Sequence, residues 1–271
     1  MAITDRGRWL NRWMVIFTVL MTASLAGRFW ARHVQKRRMR GDDYLVLISF
    51  ASLMALQIST WITLPYSFGA HYTDLTPEEA AFQHKIQYSS GITWTIATVT
   101  CKMAVLWMYI HIFPPSRARI AIWITMGCSA AFAVTFIPIF MTACNPPSAA
   151  WALDPMVMIA HCHPIQRQEF ASVSVNMALD LAVVLIPLPV VWKLQMPTVK
   201  KLQVSFLFSL GLAVVGISSW RIVTTVESTK TPDWSYILLT IGLQSHLECW
   251  LGILAANLPV MNPVFSRIVG P

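Results

Sequence analysis

One lysine, Lys102, lies near the middle of a long apolar segment that runs from Ile86 to Phe113. As a helix rising ~1.5 Å per residue, this segment is long enough to cross a bilayer core of ~30 Å. Thr95, Thr98 and Tyr109 share a helical face with the lysine and form one polar stripe on a largely apolar helix. Because a lysine that faces lipid costs several kcal/mol, the sequence predicts that this face points into a protein interior or a wet cavity.

Three further charged residues, Asp180, Arg221 and Glu248, lie inside other apolar segments. Counted from the ends of their segments, the two carboxylates should lie near the membrane centre with Lys102, and the arginine in the outer half. Charged groups within a membrane usually pair with one another, and two cations would balance two anions. We therefore expect these four residues to meet inside the protein.

Each carboxylate has an amide residue at helical spacing. Asn176 precedes Asp180 by four residues and Gln244 precedes Glu248 by four, so each pair shares a helix face. These residues could form a structural core that fixes helix register or a site for an apolar small molecule, and the two interpretations are compatible. In a site, the lysine ammonium would act as a donor or electrostatic stabiliser opposite a carboxylate, which suits proton transfer. The candidate catalytic residues are then Lys102, Asp180 and Glu248, and the candidate ligand-binding residues are Asn176, Arg221, Thr98 and Gln244.

The composition indicates that these residues belong to a membrane protein. Hydrophobic residues make up 56% of the 271 residues and charged residues 12%, whereas about a quarter of the residues in soluble domains are charged. We predict an all-α fold in which seven membrane-spanning helices form a single domain over residues 1–271. The predicted spans are approximately 13–29, 44–64, 87–113, 120–143, 170–192, 202–226 and 236–258.

The net charge of +8 does not indicate a nucleic-acid-binding protein, because the basic residues lie between apolar segments rather than on a soluble surface. They concentrate at one side of the predicted bundle. That side carries Arg28, Arg32, Lys36, Arg37, Arg38, Arg40, Arg117, Arg119, Lys193, Lys200, Lys201 and Arg267, and the other carries Arg6, Arg8, Arg12, Lys85, Arg167 and Lys230. The positive-inside rule predicts that the richer side is cytoplasmic, which places the N-terminus outside or in the lumen and the C-terminus in the cytoplasm.

Two of the five cysteines, Cys144 and Cys162, lie in one loop on the predicted non-cytoplasmic side. Disulfides persist in that environment, so we predict a bridge between them. The other three cysteines lie within predicted spans, where a small buried hydrophobic residue is the default interpretation. The cluster His161–His163 is too compact for a zinc site, and we expect no metal.

Six segments of the chain resemble motifs of one fungal family. They are RGDDYL (Arg40–Leu45), GAHYTDL (Gly69–Leu75), TCKMAVLWMYIHIFP (Thr100–Pro114), CNPPSAAW (Cys144–Trp151), NMALDLAVVLIPLPVVWKLQMP (Asn176–Pro197) and ECWLGILAANLPVMNP (Glu248–Pro263). On these motifs, which follow the family order over nearly the full length, the chain is identified as a member of the fungal rhodopsin domain family of seven-helix membrane proteins. The family includes candidate receptors of plant-pathogenic fungi and integral membrane proteins encoded in mycotoxin gene clusters, such as the satratoxin cluster.

The family name points to retinal, but the residues argue against this cofactor. A retinal protein needs a lysine inside the bundle for the Schiff base, on the seventh helix in rhodopsins, and the seventh predicted span has no lysine. The only intramembrane candidate is Lys102 on the third span, so we expect no cofactor and no light-driven ion pumping. Family members commonly carry a long polar cytoplasmic tail, and we expect none here because the chain stops at Pro271.

A histidine in the loop before the third span, His71, is a weaker candidate for the catalytic set. It belongs to the GAHYTDL motif of the resemblance, and its loop should fold over the outer mouth of the bundle. A loop histidine is usually just solvated, which is the competing interpretation. Trp151 and the predicted Cys144–Cys162 bridge would cover the same mouth, or would serve loop stability alone.

Three functional classes remain. The favoured one, given the family's occurrence in toxin clusters, is an integral membrane component of a fungal secondary-metabolite pathway. It would bind or transform an apolar small molecule, for example by lysine- and carboxylate-assisted cyclisation or proton transfer, and whether it is an enzyme stays open. The alternative is a G-protein-coupled-receptor-like sensor of an external small molecule or surface cue. The third span ends in YIHIFPP without an acidic-Arg-aromatic switch, and NPVFS at Asn262–Ser266 lacks a tyrosine, which weighs against this alternative.

A transporter is disfavoured because the sequence shows no two-fold repeat or paired interrupted helices. The expected partners are the lipid bilayer and an apolar small molecule, with a G protein only under the alternative and no nucleic acid. The expected location is the endoplasmic reticulum or the plasma membrane, as a multi-pass protein.

Overall fold

A computed structural model describes residues 3–36, 38–66, 68–112, 117–163, 165–188, 198–231 and 233–268. Over these residues the chain contains eight α-helices and no strand. They are α1 Asp5–Val34, α2 Gly41–Thr63, α3 Pro77–Ile112, α4 Arg117–Met141, α5 Pro155–His161, α6 Ile165–Leu185, α7 Thr198–Ser228 and α8 Trp234–Ile268. All except the short α5 are long and apolar enough to cross a membrane, which confirms the predicted all-α, seven-span fold class.

Several helices extend beyond the predicted spans. α1 begins at Asp5, where the Thr4 side chain accepts a hydrogen bond from the Gly7 backbone at 3.0 Å. α3 begins at Pro77, well before residue 87, so the end of the segment expected to be a loop is helical. The reason is a capping box: the Thr76 backbone donates to Glu79 Oε2 at 3.1 Å, and the Glu79 backbone donates to Thr76 Oγ1 at 3.3 Å.

A further difference lies at the C-terminal end of α8. α8 continues to Ile268, past the predicted end at residue 258 and through Pro259 and Pro263. The Pro114–Pro115 stop of the third span, and the end of the fifth span with Pro189 and Trp192, lie outside the described residues.

The segment between α4 and α6 folds over one end of the bundle, here called the disulfide end. A disulfide joins Cys144 to Cys162, which confirms the predicted bridge. Backbone hydrogen bonds run beside it, from Asn145 N to the His161 carbonyl at 2.9 Å and from His163 N to the Ala143 carbonyl at 2.8 Å. The α5 helix and a 3₁₀ turn at Pro147–Trp151 complete this cover.

Four buried charged residues tie α1 to α2 at the opposite end. This end cluster consists of Arg28, Arg32, Asp42 and Asp43. Arg28 Nε donates to Asp43 Oδ1 at 2.8 Å and Arg32 Nη2 donates to Asp42 Oδ2 at 2.8 Å, while Arg28 also pairs with Asp42. Arg28 Nη1 reaches α8, where the Ala256 carbonyl accepts at 2.7 Å. Which end of the bundle faces the cytoplasm stays a prediction.

The helices α3 and α8 occupy the interior of the bundle. α3 packs against α2, α4 and α8, and α8 packs against α1 and α7 as well. Their apolar segments are more buried than those of the other spans. Because of this arrangement, a polar residue on the inner face of α3 or α8 must find its partner on a neighbouring helix. Lys102 lies on α3 and Glu248 on α8.

Candidate functional site

Lys102 is buried at the meeting point of three helices. Its Nζ donates to Asn176 Oδ1 at 2.6 Å and lies 3.0 Å from Asp180 Oδ1, both on α6. Glu248 Oε1 on α8 is 3.9 Å from the same nitrogen. The polar face of α3 therefore points into the protein, as its spacing predicts, and the ammonium has an amide and two carboxylates around it.

Asn176 holds this arrangement together through both ends of its amide. While its oxygen accepts from Lys102, its Nδ2 donates to Asp180 Oδ2 at 3.2 Å and to Glu248 Oε1 at 2.5 Å. The first of these two contacts follows from the spacing of four residues on one helix. The second connects α6 to α8 and brings the two carboxylates to the same amide group.

Arg221 on α7 extends the set toward the disulfide end. Its Nη1 is 3.6 Å from Glu248 Oε2, and its Nη2 donates to Glu169 Oε1 at 3.3 Å. The guanidinium stacks over the Trp94 ring, 4.2 Å from the ring centroid. The central cluster is thus Lys102, Asn176, Asp180, Glu248, Arg221 and Glu169.

Glu169 changes the expected charge balance of this set. The predicted balance of two cations and two anions becomes two cations and three carboxylates, a net charge of −1 when all five groups are ionised. Within the described residues, Nε and Nη1 of Arg221 and Oε2 of Glu248 have no hydrogen-bond partner. Nη1 and Oε2 face each other in the 3.6 Å ion pair, which is too long for a hydrogen bond, whereas Nε has neither kind of partner among these residues and is free to donate to a further polar group.

The cluster opens onto a small apolar cavity of about 70 Å³, the central cavity. Lys102, Asp180 and Glu248 line it, together with Thr98. The walls are largely apolar and include Val105, Val184, Leu207, Phe208 and Val214. Such a cavity can hold an apolar group and place it against an ammonium and two carboxylates, which can donate and accept a proton.

Two of the predicted ligand-binding residues lie near the cluster without joining it. Thr98 lines the central cavity, but its hydroxyl donates to the Trp94 and Thr95 carbonyls of its own helix. Gln244 donates to Thr224 Oγ1 on α7 at 2.9 Å. Its side chain is therefore directed to a different neighbour from that of Glu248.

His71 lies at the surface of the disulfide end. Its Nδ1 is 2.5 Å from Asp233 Oδ2, and its ring stacks on Tyr236 with centroids 4.7 Å apart. The hydrogen bond from His71, with a further one from the Tyr72 backbone, holds the pKa of Asp233 below its usual range. His71 therefore fastens its loop to the start of α8, rather than lining the central cavity.

Three residues of the site are absent from the predicted set, although the sequence contains a spacing signal for two of them. Glu169 lies seven residues before Asn176, and Trp94 lies eight before Lys102, so each shares a helix face with a predicted residue. His246 is fully enclosed on α8, with its Nδ1 2.7 Å from the Gly242 carbonyl. Helical spacing alone does not show how far a polar face extends along its helix.

Comparison with known proteins places this chain among fungal membrane proteins. The model of the fungal rhodopsin domain family matches residues 27–267. "Fugralins biosynthesis cluster protein 2" of Gibberella zeae is 27% identical over 94% of this chain and 64% of its own length. A "SAT4 family membrane protein" of Emericella nidulans is 26% identical over 74% of this chain and 51% of its own length.

A third relative, "Wortmanamides biosynthesis cluster protein C" of Talaromyces wortmannii, is 24% identical over 94% of this chain and 72% of its own length. The chain spans only about half to two thirds of the length of the first two relatives. No solved structure matches it significantly.

Proposed function

Because the chain belongs to the fungal rhodopsin domain family, we propose that it binds an apolar small molecule as a membrane component of a fungal secondary-metabolite pathway. Its seven apolar helices and its family make it a multi-pass integral membrane protein. Relatives named as biosynthesis cluster proteins support the pathway role. The ligand and the step belong to the proposal.

The observation that carries this proposal is the contact between the central cluster and the central cavity. The charges of Lys102, Asp180 and Glu248 line a space whose other walls are apolar. Packing alone would be served as well or better by apolar side chains, because buried ion pairs are often neutral or destabilising relative to hydrophobic residues of similar volume. An apolar ligand with one reactive oxygen or acidic C–H would use both the walls and the charges.

The chemistry that fits is an isomerisation or cyclisation that passes through proton transfer. The Lys102 ammonium would hydrogen-bond a carbonyl oxygen of the ligand and stabilise the negative charge that develops there. Asp180 or Glu248 would accept a proton from the adjacent carbon and return it to another carbon, so that no proton is gained or lost overall. Asn176, which contacts all three residues, would hold them in position.

The proposal includes no retinal. A retinal Schiff base of the rhodopsin type requires a lysine on the last helix, and α8 carries none between Trp234 and Ile268. Lys102 on α3 contacts Asn176 and Asp180, and we propose no chromophore attached to it.

Deletion of the gene, followed by metabolite profiling of the fungus, tests the proposal. We expect one intermediate to accumulate and the end product to fall, and we expect the wild-type gene to restore the profile. The control is a deletion strain that carries Trp30→Phe, a change on the exposed face of α1 that should restore the profile like the wild-type gene. An unchanged profile with an altered response to external cues would contradict the pathway role and favour the sensor.

A further inference from the structure

Two adjoining cavities lie between the central cluster and the disulfide end. The inner pocket has a volume of about 90 Å³ and the vestibule about 440 Å³. Their walls share five residues: His84, Gln87, Glu169, Leu238 and Ile241. The vestibule also contacts Cys162 and so lies directly beneath the disulfide-bonded cover. Its volume falls in the range of small-molecule sites in proteins.

The inner pocket is lined by buried side chains with unused hydrogen-bonding atoms. Trp94 Nε1 and Arg221 Nε are donors with no partner in the part of the chain that the structure describes. His246 Nε2 also has none. Because His246 Nδ1 lies 2.7 Å from a backbone carbonyl, that nitrogen carries the proton and donates, which leaves Nε2 as an acceptor in the neutral ring. All three residues are at most 5% exposed.

This combination of atoms selects the polar group that a ligand must carry. A hydroxyl can accept from Trp94 or Arg221 and donate to His246 with one oxygen atom. A carboxylate can only accept, and it would add negative charge beside Arg221, which already faces Glu169 and Glu248. An alkyl group would leave the donors and the acceptor unpaired, which is costly in a buried site.

We propose that the inner pocket binds an uncharged hydroxyl group of an apolar molecule whose body occupies the vestibule. This inference rests on the proposed handling of an apolar small molecule and names its chemical class. Arg221 lines the inner pocket and also faces Glu248, so the bound hydroxyl lies next to the central cluster. The ligand enters from the disulfide end, because the vestibule lies there.

A matched set of three probes tests this assignment on the purified full chain in lipid nanodiscs. The probes share a pyrene body and differ at the end of a butyl chain: 1-pyrenebutanol, 1-butylpyrene and 1-pyrenebutyrate. Saturable binding of tritiated 1-pyrenebutanol is measured by scintillation proximity, with the other two as unlabelled competitors. We expect the alcohol to bind about three- to tenfold more tightly than either, the range that one or two neutral hydrogen bonds give. Equal binding of 1-butylpyrene, or tighter binding of 1-pyrenebutyrate, would overturn the proposal.

Two substitutions locate the binding to the inner pocket. Trp94→Phe keeps an aromatic face under Arg221 but removes the donor, and His246→Phe removes the acceptor. Each substitution should weaken the binding of 1-pyrenebutanol about three- to tenfold and leave the binding of 1-butylpyrene unchanged. Trp30→Phe, on the exposed face of α1, is the matched control and should change neither. Unchanged alcohol affinity in both folded variants would contradict the assignment, and if neither variant folds, the comparison of probes on the wild-type chain decides.

The probe experiment and the metabolite experiment fail separately. If the protein binds 1-pyrenebutanol more tightly than the other two probes while gene deletion leaves the metabolite profile unchanged, the pocket assignment stands and the pathway role is wrong. If deletion changes the profile while the three probes bind alike, the pathway role stands and the hydroxyl assignment is wrong.

Discussion

The end cluster and the central cluster both contain buried arginines, and these arginines differ in how many hydrogen bonds they make. In the end cluster, Arg28 uses all three guanidinium nitrogens in hydrogen bonds, to Asp43, Asp42 and the Ala256 carbonyl. In the central cluster, Arg221 uses one of three in a hydrogen bond, to Glu169, while its Nη1 faces Glu248 only in a longer ion pair of 3.6 Å. Both arginines are buried, at 1% and 5% exposure, so the contrast does not come from access to solvent.

The two clusters also differ in charge and in surroundings. The end cluster has two arginines and two aspartates, so its charges balance. The central cluster has an excess of one carboxylate and adjoins the central cavity and the inner pocket. A saturated, balanced cluster serves the packing of helices, whereas an unsaturated one beside a cavity has bonds left for a ligand.

The largest effect on stability should come from the end cluster. Asp43→Ala leaves Arg28 and Arg32 buried with one carboxylate and removes the contact of Asp43 Oδ2 with the Arg40 backbone at 2.9 Å. Removing one partner of a buried ion pair costs about 3–5 kcal/mol, so we expect little folded protein on size-exclusion chromatography. The matched control is Asp5→Ala, whose pair with Arg8 is exposed and whose loss should change nothing measurable. If Asp43→Ala were as thermally stable as the wild type, the end cluster would not have the structural role that distinguishes it here from the central cluster.

The second-largest effect on stability should come from removal of the disulfide, which changes no residue of either charged cluster. Replacing Cys144 and Cys162 by serine opens a loop with a sequence separation of 18 residues, which should cost about 2–4 kcal/mol. Loss of the disulfide should also weaken the binding of 1-pyrenebutanol, because Cys162 lines the vestibule. In the wild type, alkylation without reductant should leave Cys144 and Cys162 unlabelled, because their sulfurs are joined in the disulfide, and intact-mass analysis will show this. Labelling of both without reductant would contradict the bridge.

The exposed pair of His71 and Asp233 should have the smallest effect. Because its partner lowers the pKa of Asp233, the stabilisation is complete above the ordinary carboxyl value of about 3.9 and is lost as the pH falls through the lowered value. His71→Ala should therefore lower the melting temperature slightly at pH 6, because an exposed ion pair contributes ~0–1 kcal/mol to stability. In acid, the variant and the wild type should melt at the same temperature. Asp74→Asn, in the same loop, is the control. A difference that grows as the pH falls would show that another group is responsible.

The sequence predicted the parts of this structure that depend on composition and helical period. The seven spans and the inward face of Lys102 follow from such local signals, and the Cys144–Cys162 bridge follows from the position of both cysteines in one loop. The partners of Gln244 and the inclusion of Glu169 depend on how neighbouring helices are rotated and offset along their axes. A single sequence does not specify those angles, because several rotations bury similar amounts of apolar surface.

The early start of α3 is a different case, because its signal is local. Thr76, Pro77 and Glu79 form a capping box with proline at the first helical position, a recognised helix start. The polar character of the preceding loop obscured it. The cavities had no comparable signal, since their volumes depend on side chains from five or more separate segments.

The central claim is that the Lys102 ammonium acts on a ligand and is not only half of a structural pair. Lys102→Met keeps the length of the side chain but leaves Asp180 without its cation, so the single variant should lose stability by about 3 kcal/mol. With Asp180→Asn added, the two substitutions together remove one positive and one negative charge, which leaves the net charge of the cluster unchanged. The double variant should regain thermal stability close to that of the wild type.

The decisive measurement is the metabolite profile of a deletion strain that carries this double variant at wild-type abundance. If the ammonium acts on the ligand, the folded double variant should leave the profile of the deletion strain unchanged, while Trp30→Phe should restore the wild-type profile. Restoration of the wild-type profile by the double variant would show that Lys102 and Asp180 serve only to hold the helices together.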